Sequence, residues 1–478
     1  MPITGCRVGP RYVRPALPTA PPAAYKENTA GSRDSQAGGW RPAKPSDAMI
    51  RGKWWEVFGD PELNVLEERL NINNQNIKQY FENYMAARAV VRNAKASLYP
   101  SFSIAPSVNV QGTGESSTAR LSTSSSTQSY ELPLSVSWEP DLFGSIRNTI
   151  REQANAAQVS AANLANETLS EQASLAEYYF ELRGQDALQV LYDDTIKNYG
   201  ESLRLTRVLF RTGIDSEQDV VQAETTLHTA EANATAVATT RAQYEHAIAL
   251  LLGEAAGNFS LQAMPLDVNV PSIPTGLPSQ LLERRPDIAA SERTMAEANA
   301  LIGVGKAAYY PTISLTGSGG TQTSDIGKLA TLSAYFWSVG GTITETAWDF
   351  GARRATVQQY EAQYRADVAA YRQTVLNAFK EVEDYLVSTR QLTEQTQRQK
   401  QAVDSSARYE ALANTRYRTG VDTYLNVVTA QTSLLSNRQT LVSLQTSQMT
   451  SAVQLIAALG GGWDAAELPT EKQVERKP

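Results

Sequence analysis

The chain reads Phe210-Arg211-Thr212-Gly213-Ile214-Asp215-Ser216, and 207 residues later it reads Tyr417-Arg418-Thr419-Gly420-Val421-Asp422-Thr423. A helical pattern of about 70 residues precedes each copy, far longer than the usual helix of about 12 residues. At about 1.5 Å per residue, each run spans roughly 100 Å. A shorter helical pattern follows each copy and ends at Gly253 or Gly460. The sequence therefore predicts two very long helical hairpins, each with its tip at one copy of this motif.

The residues of the motif suit the reversal of a helix. Gly213 and Gly420 can adopt the positive φ with which many helices end. The carboxylates of Asp215 and Asp422 follow two residues later. Because aspartate is among the preferred N-cap residues, we expect each carboxylate to cap the return helix of its hairpin.

Composition narrows the class of protein. The formal net charge is −7, which argues against a nucleic-acid partner because phosphate contacts require clustered Lys and Arg. No run of about 18 apolar residues occurs, so no transmembrane helix is predicted. Ala, Gln, Ser and Thr dominate the helical segments and leave narrow apolar stripes, which are typical of coiled coils. One such stripe is Ile150, Ala154, Ala157, Ala161 and Leu164.

Beyond Pro100 the hydrophobic period changes from that of a helix to that of a strand. Apolar residues alternate with Ser, Asn, Gln and Glu in two runs of about 10 residues, the length of a membrane-spanning β-strand. A soluble β-sandwich is the alternative, but one hairpin between long helices supplies no second sheet. The side chains predicted to face lipid are Phe102, Ile104, Val108, Val110, Leu132, Leu134, Val136 and Trp138.

The second half of the chain repeats the first. Lys95-Ala96-Ser97-Leu98-Tyr99-Pro100 returns as Lys306-Ala307-Ala308-Tyr309-Tyr310-Pro311, an offset of 211 residues. Leu142-Phe143-Gly144 returns as Asp349-Phe350-Gly351, an offset of 207 residues, so the second β-loop is four residues shorter. We expect a structural repeat with weaker strands in its second copy.

The predicted organisation follows from these patterns. A lipobox-like start and an extended Pro-rich arm occupy residues 1–60, and a charged, flexible tail occupies residues 463–478. Between them lie the first repeat at 61–257, a linker at 258–277 and the second repeat at 278–462. Within the repeats, the β-hairpins are placed at 101–138 and 312–344, and the tips near 210–216 and 417–423.

Four strands per chain cannot close a barrel, and open sheet edges are excluded from lipid. Several chains must therefore contribute strands to one barrel, with the helical hairpins extending from it as a second tube. The fold class predicted from the residues is mainly α with membrane β.

These features resemble the TolC-like outer membrane efflux proteins. The resemblance rests on the repeated halves, the strand hairpins, the paired Arg-Thr-Gly turns and the start Trp54-Trp55-Glu56-Val57-Phe58-Gly59-Asp60-Pro61. It implies a homotrimer in the outer membrane of a Gram-negative bacterium, with a twelve-stranded β-barrel and a periplasmic α-barrel. The implied partners are a periplasmic adaptor protein and an inner-membrane pump, commonly of the resistance-nodulation-division type. No cofactor is implied.

The start of the chain is most similar to the lipoprotein branch that includes OprM and NodT. Ile3-Thr4-Gly5-Cys6 resembles a lipobox, in which the cysteine is acylated. A chance thiol is the alternative. A secretory signal needs a basic region and an apolar run, and only five residues precede Cys6. We therefore expect either that the precursor begins upstream of Met1 or that its signal has been removed.

The resemblance also implies roles for the tips. Contact with the adaptor is expected at Arg211, Thr212, Gly213, Asp215, Arg418, Thr419, Gly420 and Asp422. The alternative is that these residues only form a good turn, although a turn does not require Arg211 or Arg418.

A gate that closes the tunnel is expected just past the second tip. Asp422, Leu425 and Thr429 fall at positions i, i+3 and i+7, on one helical face. In a trimer this brings three leucines together, and a narrow apolar ring can block ions by dewetting. OprM-like relatives place an acidic residue where this chain has Thr429, so Tyr417, Arg418 and Asp422 are expected to supply the polar ties. Packing of Leu425 against a partner helix is the alternative.

The sequence also leaves alternatives to the efflux channel. A duct for peptide or protein secretion shares the architecture, whereas a structural coiled coil lacks amphipathic strands. An enzyme is not expected, because His228 and His246 lie 18 residues apart on one helix, too far to share a metal, and no cysteine cluster accompanies them.

Overall fold

The computed structural model describes residues 8–17, 21–22, 25–26, 52–112, 126–266, 268, 270–271, 273 and 281–476. The helices are α1 (Pro61–Asn73), α2 (Gln75–Ala96), α3 (Ser145–Arg211), α4 (Glu217–Leu251), α5 (Leu281–Arg284), α6 (Pro286–Ala307), α7 (Ala352–Arg418), α8 (Tyr424–Ala458) and α9 (Glu471–Val474). The strands are β1 (Ser101–Ile104), β2 (Ser107–Gly112), β3 (Ser126–Trp138), β4 (Thr312–Thr323) and β5 (Tyr335–Thr344).

The two predicted long hairpins are present. Helices α3 and α7 contain 67 residues each, and the return helices α4 and α8 contain 35 residues each. Within the described residues, every helix is too short or too polar to cross a membrane.

The helices lie side by side as a wall four helices wide. Near the sheet the order is α2, α3, α6, α7, and toward the tips it is α4, α3, α8, α7. The return helices end against the shorter helices at two glycines: Gly253, after α4, lies against the end of α1, and Gly460, after α8, lies against the end of α5. A Cβ added to Gly253 would lie 2.7 Å from the carbonyl oxygen of Asn73, and one added to Gly460 would lie 2.1 Å from that of Arg284. Only glycine allows these close approaches, and both residues have positive φ.

The segment Trp54–Phe58 forms a 3₁₀ turn whose aromatic rings are buried at mid-height of the wall. The indole nitrogen of Trp54 donates to Gln172 Oε1 at 3.1 Å. Helix α1 then begins at Pro61, because Asp60 caps it and proline suits the first helical position. This cluster fixes the start of the first repeat against α3.

The strands form one antiparallel sheet in which β1 and β2 both pair with β3, followed by β4 and β5. Phe102 lies opposite Val136, and Val108 lies opposite Tyr130. The predicted alternation therefore places the apolar side chains of β1, β2 and β3 on one face. Six of the eight predicted lipid-facing side chains are exposed in the protomer, and Val136 and Trp138 are half-buried. That these side chains contact lipid remains a prediction.

The described part of the N-terminal arm is extended and lies along α6 and α7. The guanidinium of Arg14 donates to the hydroxyl of Tyr371 at 3.0 and 3.1 Å. Further along the arm, Arg372 donates to the carbonyl oxygen of Ala16. Cys6 lies outside the described residues, so its lipidation also remains a prediction.

The tail differs from the flexible segment expected from its charge. Residues 463–476 include α9, whose Val474 is fully buried against Val91, Ala154 and Ala157. The ammonium group of Lys95 donates to Glu475 at 2.8 Å. The tail is ordered because one apolar side chain fills the groove between α2 and α3 while its charges pair at the rim.

Candidate functional site at the hairpin tips

Both tips turn at the glycine that the sequence indicates. Helix α3 ends at Arg211 and α7 at Arg418, and the glycines that follow have φ of 79° (Gly213) and 72° (Gly420). Apart from the adjacent residues of the chain, no atom of the described residues lies within 4 Å of a Cβ built on either glycine, so both tips present open backbone. Side chains of any size have room there, at the cost of a strained φ.

The predicted aspartate caps are wrong. In the first hairpin Ser216 is the N-cap: its hydroxyl accepts from the backbone nitrogen of Asp219 at 3.3 Å, and the Asp219 carboxylate accepts in return. In the second hairpin the N-cap position belongs to Thr423, which makes no side-chain cap bond. Asp215 is not a cap because its carboxylate is turned toward α7.

Tyr417 ties the two hairpins together. Its side chain is 5% exposed, its hydroxyl donates to Asp215 Oδ2, and it lies 3.1 Å from Thr206 Oγ1. The Tyr417 ring also packs on Tyr424 with centroids 5.4 Å apart. Burial, and then the hydrogen bond to Asp215, raise the pKa of Tyr417 above its ordinary value. The phenol therefore stays protonated and remains a donor at physiological pH.

Asp422 is held within its own hairpin. Its carboxylate accepts from Asn426 Nδ2, from the backbone nitrogen of Thr423 at 2.9 Å and from Arg416 Nε at 3.1 Å. These hydrogen bonds, with Asn426 first, lower the pKa of Asp422. The expected partner Arg418 is exposed and forms no hydrogen bond or ion pair with the described residues.

Arg416 is thus a tip residue that the sequence reasoning missed. Its counterpart in the first repeat is Leu209, so the repeat gives no signal for it. Its side chain reaches Asp422 only because the turn brings the last helical residues back beside the return helix.

Leu425 points away from the helices of its own protomer. It is 58% exposed, and Thr429, one turn further on, is exposed as well. On the other face of α8, Tyr424, Val427 and Val428 are buried against the first hairpin. Packing of Leu425 within the protomer is therefore not observed, and the side chain is free to face a tunnel. Its role in a gate remains a prediction.

Six of the eight expected docking residues are exposed at the tips, and the two aspartates are half-buried. Arg211, Thr212, Gly213, Thr419 and Gly420 are exposed, as is Arg418. Asp215 and Asp422 are half-buried because they hold the ties described above. The tips therefore divide into an outer, exposed set and an inner set that fixes the hairpins.

Known proteins share this sequence pattern and this architecture. A family model described as outer membrane efflux protein matches residues 66–254 and 277–461. The chain is 33% identical over 470 residues to the probable efflux pump outer membrane protein TtgC of Pseudomonas putida, covering 96% of this chain and 93% of TtgC. It is 29% identical over 463 residues to the cation efflux system protein CusC of Escherichia coli O6:H1, covering 96% of each.

Solved structures agree with the sequence comparisons. The outer-membrane channel OprN superposes with a TM-score of 0.85 and 28% identity, over 96% of this chain and all of OprN. The resemblance drawn from the paired turns and strand hairpins is confirmed, and the family is one of channels rather than enzymes. The chain belongs to the outer membrane efflux protein family.

Proposed function

We propose that this outer membrane efflux protein is the exit channel of a tripartite pump, which passively conducts small toxic compounds from the periplasm to the exterior. The observation that carries the proposal is that the β-sheet and the wall of long helices are directly connected. An amphipathic sheet with an exposed apolar face joins, without a separate domain, a wall of helices about 100 Å long. One end suits lipid, and the other suits an aqueous compartment.

The channel requires several copies of the chain. In the protomer the sheet has two unpaired edges, formed by β1 and β2 on one side and by β5 on the other. Backbone groups left unpaired in lipid cost several kcal/mol each. Because β1 and β2 both pair with β3, they share one position in the sheet, and each chain supplies four strand positions. Three copies would supply twelve, in agreement with the homotrimer that the family resemblance implies.

The remaining assignments concern partners. The exposed arginines and glycines of the tips are proposed to contact a periplasmic adaptor, which links the channel to an inner-membrane pump of the resistance-nodulation-division type. That pump selects the cargo. CusC is named for cation efflux and TtgC for an efflux pump, so relatives with this architecture serve different systems. The channel itself is not assigned a cargo. Cys6 is proposed to carry the lipid anchor.

Deletion of the gene tests the proposal. We expect the deletion strain to become more susceptible to some of a panel of dyes, antibiotics, bile salts and metals, and to accumulate a fluorescent dye. Restoring the chain should reverse both effects only when the pump is present. Unchanged susceptibility and accumulation across the panel would contradict a role in efflux.

A further inference from the structure

The apolar face of the sheet carries a groove along β4. Its floor consists of Gly317 and Gly319, which belong to one face because residues two apart on a strand share a face. The register partners of these glycines are Val136 and Leu134 on β3, and Val339 and Trp337 on β5. Their side chains form the walls of this β4 groove. Leu315 closes it toward the helices, and Thr321 closes it toward the far end of the sheet.

The fold does not require glycine at either floor position. Neither Gly317 nor Gly319 has positive φ. Apart from the adjacent residues, the atom nearest to a Cβ built on Gly317 is 3.9 Å away, and that for Gly319 is 3.7 Å away, which are ordinary contacts. Gly320, on the opposite face, differs because its Cβ would lie 2.1 Å from the carbonyl oxygen of Leu132. Since glycine in a strand interior weakens a sheet, the groove needs a reason other than the backbone.

The size and chemistry of the groove suit one hydrocarbon chain. The backbones of β3 and β5 lie two strand spacings apart, about 10 Å. The four wall side chains are apolar, and two of them, Trp337 and Val339, are 71% and 80% exposed in the protomer. An unfilled groove forfeits dispersion contacts along its lining. In lipid, the occupant that restores these contacts is an acyl chain.

The N-terminal arm is fixed at the foot of this groove. The backbone nitrogen of Val8 donates to the carbonyl oxygen of Phe143 at 3.1 Å, just beyond the end of β3. Asn148 donates in turn to the carbonyl oxygen of Val8 at 2.8 Å. The ring of Phe143 stacks on that of Tyr310, which precedes β4, with centroids 4.8 Å apart. Cys6 is two residues before Val8, so at most about 7 Å of chain separates them.

The arm lies on the outer side of the helical wall. On α3, Asn148 contacts the arm, and further along the same helix Gln158 donates to the carbonyl oxygen of Pro469 in the tail. The arm and the tail thus cover the same face of the wall. The opposite face must stay clear in a channel, so the covered face is the exterior. This exterior continues upward into the lipid-facing side of the sheet.

We propose that the β4 groove is the binding site of an acyl chain carried by Cys6. The inference rests on the proposed channel and on the proposed lipid anchor at this cysteine. Any lipid tail could fill an apolar groove, but a chain attached to the arm is held beside it at high effective concentration. The tethered chain therefore occupies the groove in preference to free lipid.

The height of the floor agrees with this occupant. Gly317 and Gly319 lie five and seven residues beyond Thr312, where β4 begins. With a rise of about 3.4 Å per residue and a tilt of about 40°, they stand about 13 to 18 Å above the foot. One leaflet is half of a hydrocarbon core about 30 Å thick. An acyl chain that starts at the foot therefore reaches the glycines.

The groove is also specific to the repeat that holds the arm. With the offset of 211 residues, the counterparts of Gly317 and Gly319 in the first repeat are Pro106 and Val108. Neither leaves a glycine floor. The one feature that distinguishes β4 from its counterpart is thus located beside the one strand junction that binds the start of the arm.

Photocrosslinking tests the proposal in cells that express the full chain behind a lipoprotein signal sequence. The cells receive a fatty acid with a photoreactive group, and after irradiation the tryptic peptides are analysed by mass. We expect the acylated N-terminal peptide to be joined to peptide 307–328, which contains the groove floor, at least tenfold more often than to peptide 96–120, which contains the counterpart strands. Cys6→Ser should abolish this product. Peptide 307–328 found only with glycerophospholipid attached would show that free lipid fills the groove and would overturn the proposal.

Filling the groove supplies a second test. Gly317→Leu with Gly319→Leu places apolar side chains where a Cβ has room, so we expect the trimer and resistance to persist while the link to peptide 307–328 falls about tenfold. Gly340→Leu is the matched control, since it lies on the opposite face and its Cβ would be 3.5 Å from Thr316 Oγ1. If the double variant does not reach the membrane, Gly319→Val alone gives the same comparison. Equal crosslinking in the filled and control variants would overturn the proposal.

Failure of this inference is distinguishable from failure of the proposed function. A labelled Cys6 whose acyl chain links equally to peptides 96–120 and 307–328, in a chain that still confers resistance, would overturn the groove and leave the channel and its anchor intact. A chain that confers resistance with no label on Cys6 would overturn both the anchor and the groove. The efflux role itself depends on the susceptibility of the deletion strain.

Discussion

The hydroxyl group of Tyr417 in the second hairpin donates a hydrogen bond to the carboxylate of Asp215 in the first, so the two tips of one protomer are tied to each other. The residues are 202 positions apart in sequence. Because Tyr417 is buried and also contacts Thr206, this tie is a polar link between the hairpins that is shielded from water.

Loosening this tie should favour the open channel. Tyr417→Phe removes the hydrogen bond without removing the ring, so we expect larger single-channel conductance in planar bilayers. Tyr424→Phe is the matched control, since the hydroxyl group of Tyr424 makes no hydrogen bond with the described residues although its ring packs on Tyr417. Equal conductance in the two variants would show that the tie does not hold the channel closed.

Substitution of Arg416 and substitution of Arg418 should have different effects on conductance. Arg416→Ser breaks the bond to Asp422 within the hairpin and should add to Tyr417→Phe. Arg418 has no such partner in the protomer, so Arg418→Ser should add only through a contact with another protomer. Mixed trimers that carry one altered subunit would separate the two cases by their conductance.

The tip glycines should be essential for pump-dependent resistance. Replacing Gly213 or Gly420 by a bulky residue fills backbone that is open in the structure, so we expect resistance to be lost while the trimer stays in the membrane. Gly420→Asn tests the turn alone, because asparagine tolerates positive φ, and it should retain more resistance than Gly420→Trp. Normal resistance in Gly420→Trp would place the adaptor contact elsewhere.

Cys6 should carry lipid when the protein is expressed with a full signal sequence. A fatty-acid analogue is expected to label the native chain and not Cys6→Ser. The trimer should survive the substitution, since its strands provide a separate hold on the membrane. Equal labelling of Cys6→Ser would contradict acylation at this residue.

Three carboxylates on α3, α6 and α7 make the stability of the protein depend on pH. Burial raises the pKa of Glu297 in α6 to about 7, and the negative charges of Glu152 in α3 and Asp367 in α7 add to the rise. The folded state therefore holds a proton that the unfolded chain releases near pH 4.5, and the free energy of unfolding falls as pH rises from there to about 7.

Glu297→Gln should remove this dependence. At pH 8 we expect the variant to have a higher melting temperature than the native protein, by on the order of 2–4 °C for each kcal/mol gained. At pH 5 the difference should shrink. Glu82→Gln, on an exposed part of α2, is the control. An advantage of Glu297→Gln that is the same at both pH values would show that charge is not its cause.

Much of the fold is predictable because its signals are local and long. The 67-residue helices, the cap at Asp60 and the glycine turns all follow from periodicity or from neighbouring residues. The alternation in β1, β2 and β3 likewise fixes which side chains share a face before any partner strand is known.

The candidate site was less predictable because it depends on contacts between distant segments. Asp215 fits an N-cap in sequence, yet the buried hydroxyl of Tyr417 competes for its carboxylate. Arg416 is unremarkable in the sequence until the turn places it beside Asp422. The tail was expected to be flexible from its charge, whereas the burial of Val474 outweighs that tendency.

The central claim is that the chain forms a channel closed near its tips, and single-channel recording of the purified trimer tests it most directly. We predict small, discrete conductance steps for the native protein and larger steps for Leu425→Ser, which disrupts the proposed apolar ring. Leu250→Ser, an exposed leucine at the far end of α4, should behave like the native protein. Unchanged steps in Leu425→Ser would move the constriction away from this residue, and the absence of any conductance in both proteins would contradict a channel.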